Sequence, residues 1–124
     1  MENLRIEKAI IQRDDYRKFK DAVALTLVDT IAILSGGAFQ EFRQLTDVYF
    51  GLDITRIGNR AFANCTSLRD VWFAITDKDK IIEIADDAFR GCKDITFHIF
   101  ASARDNPYLN SYAKKHGFRV TSMI

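Results

Sequence analysis

Apolar residues recur at a fixed spacing through the middle of this chain. One stretch gives a template of eight apolar positions: Ile54, Ile57, Ala61, Phe62, Cys65, Leu68, Val71 and Phe73. Shifted back by 23 residues, all eight positions are again apolar, and Ala38-Phe39 repeats the Ala-Phe pair. Shifted forward by 27, seven of the eight are apolar, and Ala88-Phe89 and Cys92 recur. The pattern predicts stacked coils that bury their apolar faces against one another.

Each coil, called a rung here, is predicted to hold one strand and a tight return. Alternation of polar and apolar residues predicts strands at Asp47–Phe50 and Asp70–Phe73. The Ala-Phe-x-x-Cys spacing is typical of a single helical or 3₁₀ turn. Corners that tolerate positive φ are expected at Gly36, Gly37, Gly58 and Asn59.

The third unit, "ITFHIF" at residues 95–100, leaves two registers open. Strict alignment buries His98 and Phe100, whereas a strand that starts one residue earlier buries Phe97 and Ile99. The second register is favoured because it keeps the histidine out of the core. The four extra residues of this unit lie in residues 74–80, "AITDKDK", which predicts a solvated loop; a binding loop is the alternative.

The two ends of the chain depart from the repeat. Residues 1–27 match it only in part, since Lys8 and Asp15 break the pattern, which predicts a degenerate N-terminal rung or cap. A short helix from Asp14 to Ala24 is the competing interpretation. Near the other end, Asn106 is a good N-cap and Gly117 suits a C-terminal stop, so a helix should cover the last rung.

A single domain over residues 1–124 follows, with the N-terminal rung or cap in 1–27, three repeats in 28–100, and a helix and final strand in 101–124. The fold class is a short α/β repeat solenoid, with a parallel sheet on one face, single-turn helices on the other and a C-terminal capping helix.

Composition narrows the range of partners. A net charge of +1 disfavours nucleic acid and anionic membranes. The charged N-terminus lacks the pattern of a signal peptide, so a cytoplasmic location is expected if the chain is complete, and a cell-surface or secreted one if it is a fragment.

The two cysteines are the first candidates for chemistry. Cys65 and Cys92 occupy the template position that Phe42 fills in another rung, so buried structural thiols are expected. A disulfide between neighbouring rungs stays open, because stacked strands lie within its reach. Zinc would need more ligands at closer spacing, and no cofactor or metal is predicted. Acidic pairs at residues 14–15 and 86–87 are read as solvated turns rather than as an acid/base or calcium site.

The repeats "ITRIGNRAFANCTSLRDVWF" and "IIEIADDAFRGCKDITFHI" resemble the BspA-like leucine-rich repeat family, whose units follow Ile-x-x-Ile-Gly-x-x-Ala-Phe-x-x-Cys-x-x-Leu. The tail "SARDNPYLNSYAKKHGFRV" is similar to the terminal segment of such proteins. The resemblance implies a solenoid used for protein–protein contact, commonly adhesion, and it does not imply catalysis.

Outward strand positions supply the candidate binding residues. Tyr49, Trp72 and His98, with Phe100 after them, are expected to line the exposed sheet face. Exposed tyrosine and tryptophan are typical of interface hot spots, although cross-strand support of one another is the alternative. The predicted function is therefore non-enzymatic binding of a partner protein. A structural or self-associating scaffold, or a fragment of a surface adhesin, is the second hypothesis.

Overall fold

In the computed structural model, which describes residues 3–6 and 9–123, the chain winds into stacked rungs whose strands form two parallel sheets. The strands are numbered in chain order. The long sheet has the order β1 (Asn3–Ile6), β3 (Ala24–Leu27), β5 (Asp47–Phe50), β7 (Asp70–Phe73), β9 (Thr96–Phe100) and β10 (Arg119–Met123). The short sheet has the order β2 (Ile10–Ile11), β4 (Ile33–Leu34), β6 (Arg56–Ile57) and β8 (Glu83–Ile84). One α-helix, α1 (Pro107–His116), and 3₁₀ turns at Arg17–Phe19 and Ala101–Ala103 complete the described elements.

Equivalent side chains stack on one another inside the coil. The rings of Phe39 and Phe62 lie 5.6 Å apart, and those of Phe62 and Phe89 lie 5.4 Å apart, with interplanar angles of 17° and 9°. All three rings are buried. We call Phe39, Phe62 and Phe89 the inner column. Its members occupy the Ala-Phe position of the repeat, so the repeat in sequence is a repeat in packing.

The segments that carry the inner column are tight turns closed by hydrogen bonds between residues three apart, such as Cys65 N–H to Phe62 O. Gly37 and Arg60 occupy equivalent corners with φ of 71° and 57°. Gly58 is required for a different reason, because a Cβ there would lie 2.7 Å from the carbonyl oxygen of Leu34. The corner was predicted at Asn59, but the positive φ falls on the next residue.

The first rung consists of strands and a turn. Ile11 and Leu25 are fully buried, and the segment between them holds only the short turn Arg17–Phe19. The alternative of a helix from Asp14 to Ala24 is therefore wrong, and Val23 within that range is exposed. Strand β1 was not predicted. The template position Lys8 lies outside the described residues.

The third repeat has the early register. Phe97 and Ile99 are buried, and His98 and Phe100 face outward, as the favoured alternative predicted. The template also placed Ile81 inside, and this was wrong: Ile81 is 59% exposed, whereas Ile82 is 2% exposed. The extra residues before β8 move the inward-facing position of the repeat from Ile81 to Ile82.

Helix α1 begins and ends where the sequence indicated. The Asn106 side chain accepts hydrogen bonds from the N–H groups of Tyr108 and Leu109, and Gly117 has a φ of 72°. Leu109 and Tyr112 pack against the core at the end of the stack. Strand β10 then returns to pair with β9, so the helix and the final strand cover the last rung.

Candidate binding surface

Three rings form a stack on the exposed face of the long sheet. Tyr49, Trp72 and His98 are in register on β5, β7 and β9. The rings of Tyr49 and Trp72 are 5.8 Å apart at an interplanar angle of 14°, and those of Trp72 and His98 are 3.9 Å apart at 16°. We call these residues the outer ladder. The stack arises because every rung points the same position of its strand to the same side.

Carboxylates in the preceding outward position flank the ladder. The indole N–H of Trp72 donates to Asp47 Oδ2 at 3.4 Å. Tyr49 is the most accessible ring of the three, with 39% of its surface exposed. Burial raises the pKa of Tyr49, and the Asp47 carboxylate raises it further. The phenol is therefore protonated at neutral pH.

His98 is held by both ring nitrogens. Nε2 lies 2.8 Å from Asp70 Oδ1, and Nδ1 lies 2.6 Å from Thr121 Oγ1. An ionised carboxylate only accepts, so Nε2 donates to Asp70, and the second hydrogen bond joins Nδ1 to the Thr121 hydroxyl. The order of hydroxyl, imidazole and carboxylate also occurs in hydrolytic triads. Here it joins strands β7, β9 and β10 and fixes the imidazole against Trp72.

Phe100 lies two residues beyond His98 on the same side of β9, opposite Met123 of β10. Its side chain is half-buried. Within the described residues, no aromatic ring contacts it, so Phe100 extends the exposed face without joining the outer ladder.

The cysteine thiols act as donors inside the stack. Cys65 Sγ donates to Phe39 O and Cys92 Sγ donates to Phe62 O, each at 3.2 Å to the carbonyl of the preceding rung. Both cysteines are free. Burial raises the pKa of Cys65, and burial raises the pKa of Cys92 to about 11. The thiols are therefore protonated at neutral pH and behave as packing groups.

The acidic pair at residues 86–87 binds neighbouring parts of the chain. Asp86 lies 2.7 Å from Lys115 Nζ and 3.3 Å from His116 Nε2, and Asp87 accepts from the Arg60 backbone N–H at 3.2 Å. In the described part of the chain, no three His, Cys, Asp or Glu side chains are grouped to hold a metal. None of the helices in residues 3–6 and 9–123 combines the length and apolar character that crossing a bilayer requires.

Sequence reasoning found the rings of the outer ladder and missed the groups that hold them. Asp47 and Asp70 occupy one repeat position, two residues before Tyr49 and Trp72, and this spacing was a usable signal. Thr121 follows His98 by 23 residues, the period of the repeat, so its place beside His98 on β10 also had a usable signal in the sequence.

Comparison with known protein families matches residues 1–116 to the BspA type leucine rich repeat region, in six copies. Searches of curated proteins and of solved structures each found no significant match.

Proposed function

The chain belongs to the BspA-type leucine-rich repeat family, and we propose that it binds a partner protein, without catalysis, through the exposed face of its long sheet. Tyr49, Trp72, His98 and Phe100 form the proposed contact surface. Repeat domains of this kind present extended surfaces that single rungs cannot supply, and protein–protein contact is their general use.

The observation that carries the proposal is the preorganisation of the outer ladder. Trp72 is stacked on both faces and its N–H is bonded to Asp47, so little rotamer freedom remains to be lost on binding. Loss of that freedom is one of the main costs of association. Tyrosine and tryptophan held in this way are the residue types most enriched in binding hot spots.

Charge on the face favours a particular kind of contact. Asp47 and Asp70 lie next to the rings, and the Asp70 side chain is 39% exposed although it also binds His98. A partner group that is basic, or that offers N–H donors, would complement these carboxylates and stack on Tyr49.

The test is capture of a partner from cells that express the protein, with three immobilised variants. Tyr49→Ala and Trp72→Ala should lose the captured protein, whereas Leu52→Ala, an exposed apolar residue on the turn after β5, should retain it. Retention by all three variants would contradict the proposal. Light scattering on the purified chain tests for self-association. A molecular mass that rises with protein concentration, and that is lower in Trp72→Ala, would show that the partner is a second copy of the chain.

A further inference from the structure

The two sheets end differently at the C-terminal side of the stack. The long sheet continues for one more strand, β10, which pairs with β9 over five residues. The short sheet ends at β8, and no described strand pairs with the outer edge of β8. A strand edge without a neighbour carries backbone donors and acceptors that another chain can use.

The hydrogen bonds of β8 show which groups are free. The N–H of Glu83 donates to Thr55 O at 2.8 Å and that of Ala85 donates to Ile57 O at 2.9 Å, so these residues face β6. Successive residues of a strand point their N–H and C=O groups to opposite edges. The C=O of Ile82 and both groups of Ile84 therefore point outward; we call this stretch the open edge.

Side chains from the C-terminal segment cap the backbone on both sides of the open edge. Asn106 Nδ2 donates to Lys80 O at 2.9 Å, and the Tyr112 hydroxyl donates to Ala85 O at 2.8 Å. Between these two caps, Ile82 and Ile84 have no such partner among the described residues. The C-terminal segment has thus protected the ends of the strand and left its centre accessible.

A groove runs along the open edge. Its volume is about 660 Å³. Ile84 at its base is half-buried, whereas the equivalent Leu34 and Ile57 are buried because another rung covers them. Helix α1 stands where the next rung would be and leaves room beside β8. The lining residues are Ile82, Glu83, Ile84, Asp86, Pro107, Tyr108, Ser111, Tyr112 and Lys115.

Charge at the open edge indicates the sequence that fits. Arg56 and Glu83 are in register on β6 and β8, and their charged groups are 3.5 Å apart. The Glu83 side chain is 67% exposed. A strand added beside β8 would place one outward residue next to Glu83, where a lysine or arginine continues the alternation of charge. The residues before and after it would point into the groove, where apolar side chains fit.

We propose that the open edge binds an extended peptide segment of a partner protein, with the pattern apolar–basic–apolar, as an added parallel strand. The N–H of the basic residue donates to Ile82 O, its C=O accepts from Ile84 N–H, and the N–H two residues later donates to Ile84 O. Strand addition of this kind takes affinity from backbone bonds and specificity from alternate side chains. This surface is separate from the outer ladder.

A second copy of the chain fits the open edge less well. The strand that it could offer from its short sheet is β2, the other end of that sheet. The residue of β2 at the register position of Arg56 and Glu83 is Ile10. Pairing β2 with β8 would therefore place an apolar side chain against the Glu83 carboxylate. The charge pattern therefore favours a basic peptide over β2 of a second copy.

The probe is the heptapeptide acetyl-Gly-Ser-Ile-Lys-Val-Ser-Gly-amide, titrated into the isotopically labelled full chain and followed by amide chemical shifts. Shifts are expected in residues 82–85 and along α1, with the outer ladder unchanged. The same peptide methylated on the lysine backbone nitrogen should bind at least about tenfold more weakly, because a backbone donor is lost and the methyl group clashes.

A charge swap gives the sharpest control. The peptide with glutamate in place of lysine should bind about fivefold more weakly, and Glu83→Lys should reverse that preference. Asp53→Lys, an exposed charge change outside the groove, should leave the preference as it was. Equal binding of the methylated peptide, shifts confined to the outer ladder, or no shifts at millimolar peptide would each overturn the proposal. So would a concentration-dependent dimer that the peptide dissociates.

Discussion

Two columns of stacked rings cross the same rungs, one inside the coil and one outside. The inner column is sealed from solvent, with Phe62 between Phe39 and Phe89. In the outer ladder, Trp72 has the same arrangement between Tyr49 and His98, but part of each side chain meets solvent. One repeat therefore produces the same stacking in two environments.

The comparison separates two uses of one geometry. Removing a ring from the inner column leaves a cavity that the rigid stack cannot close, so burial makes that column a source of stability. Removing a ring from the outer ladder lets water occupy the space, so the loss is limited to the ring contacts themselves. Stability and recognition should then respond to different substitutions.

The largest effect is expected from Phe62→Ala. It should lower the free energy of unfolding by about 3–5 kcal/mol, because a fully buried ring is replaced by a cavity. Urea denaturation followed by circular dichroism measures the change, with Phe62→Leu as the milder control. A loss below about 1 kcal/mol would show that the inner column does not support the stack.

Trp72→Ala should have an intermediate effect on stability. It removes two ring contacts and the hydrogen bond to Asp47, which together contribute about 1–2 kcal/mol. Trp72→Phe keeps the stacking and should recover most of the loss in the same denaturation experiment. Failure of the phenylalanine to recover any stability would mean that stacking does not hold the ladder together.

Tyr49→Ala should cost less than about 1 kcal/mol, because Tyr49 has a ring neighbour on one side and is well exposed. Differential scanning calorimetry at neutral pH would detect the small change in melting temperature. The variant should still lose the captured partner. A stability loss equal to that of Trp72→Ala would contradict the distinction between end and middle of the ladder.

The smallest expected effect is a slow reaction of the two cysteine thiols beside the inner column. With its pKa raised to about 11, Cys92 holds its proton at neutral pH. Iodoacetamide should therefore alkylate it far more slowly than it alkylates an exposed cysteine of ordinary pKa. Reactivity should rise as the pH approaches that value or when urea unfolds the chain. Mass spectrometry of the labelled protein reports the rate for each site. Rapid alkylation of Cys65 in the folded protein would show that its rung opens.

The rungs could be predicted from the sequence because burial acts on the same positions of each unit. Val71 and Phe73 align with earlier residues at a spacing of 23, and the strand followed from that alignment. Where the spacing changes, the prediction failed or became ambiguous. Strand β1 pairs Asn3 with Ala24, an offset that subtraction of 23 does not find.

The candidate site was only partly predictable for a related reason. Tyr49 and Trp72 lie on repeat positions, so their stacking follows from the period. Thr121, which binds His98 from β10, also keeps the spacing of 23, but β10 lacks the buried apolar alternation that marks the earlier strands. The groove beside β8 depends on where α1 packs, and the spacing does not give that position. The periodic signal is weak where a rung keeps the spacing of 23 and replaces the apolar pattern with a helix and a polar strand.

The most direct test compares the two columns in one protein. The free energy of unfolding should be measured for Phe62→Ala and for the double variant Tyr49→Ala/Trp72→Ala under the same conditions. Two substitutions on the outside should together cost less than the single one inside, at about 1–2 kcal/mol against about 3–5 kcal/mol. An equal or greater loss in the double variant would place the outer ladder in the core and contradict its assignment to recognition.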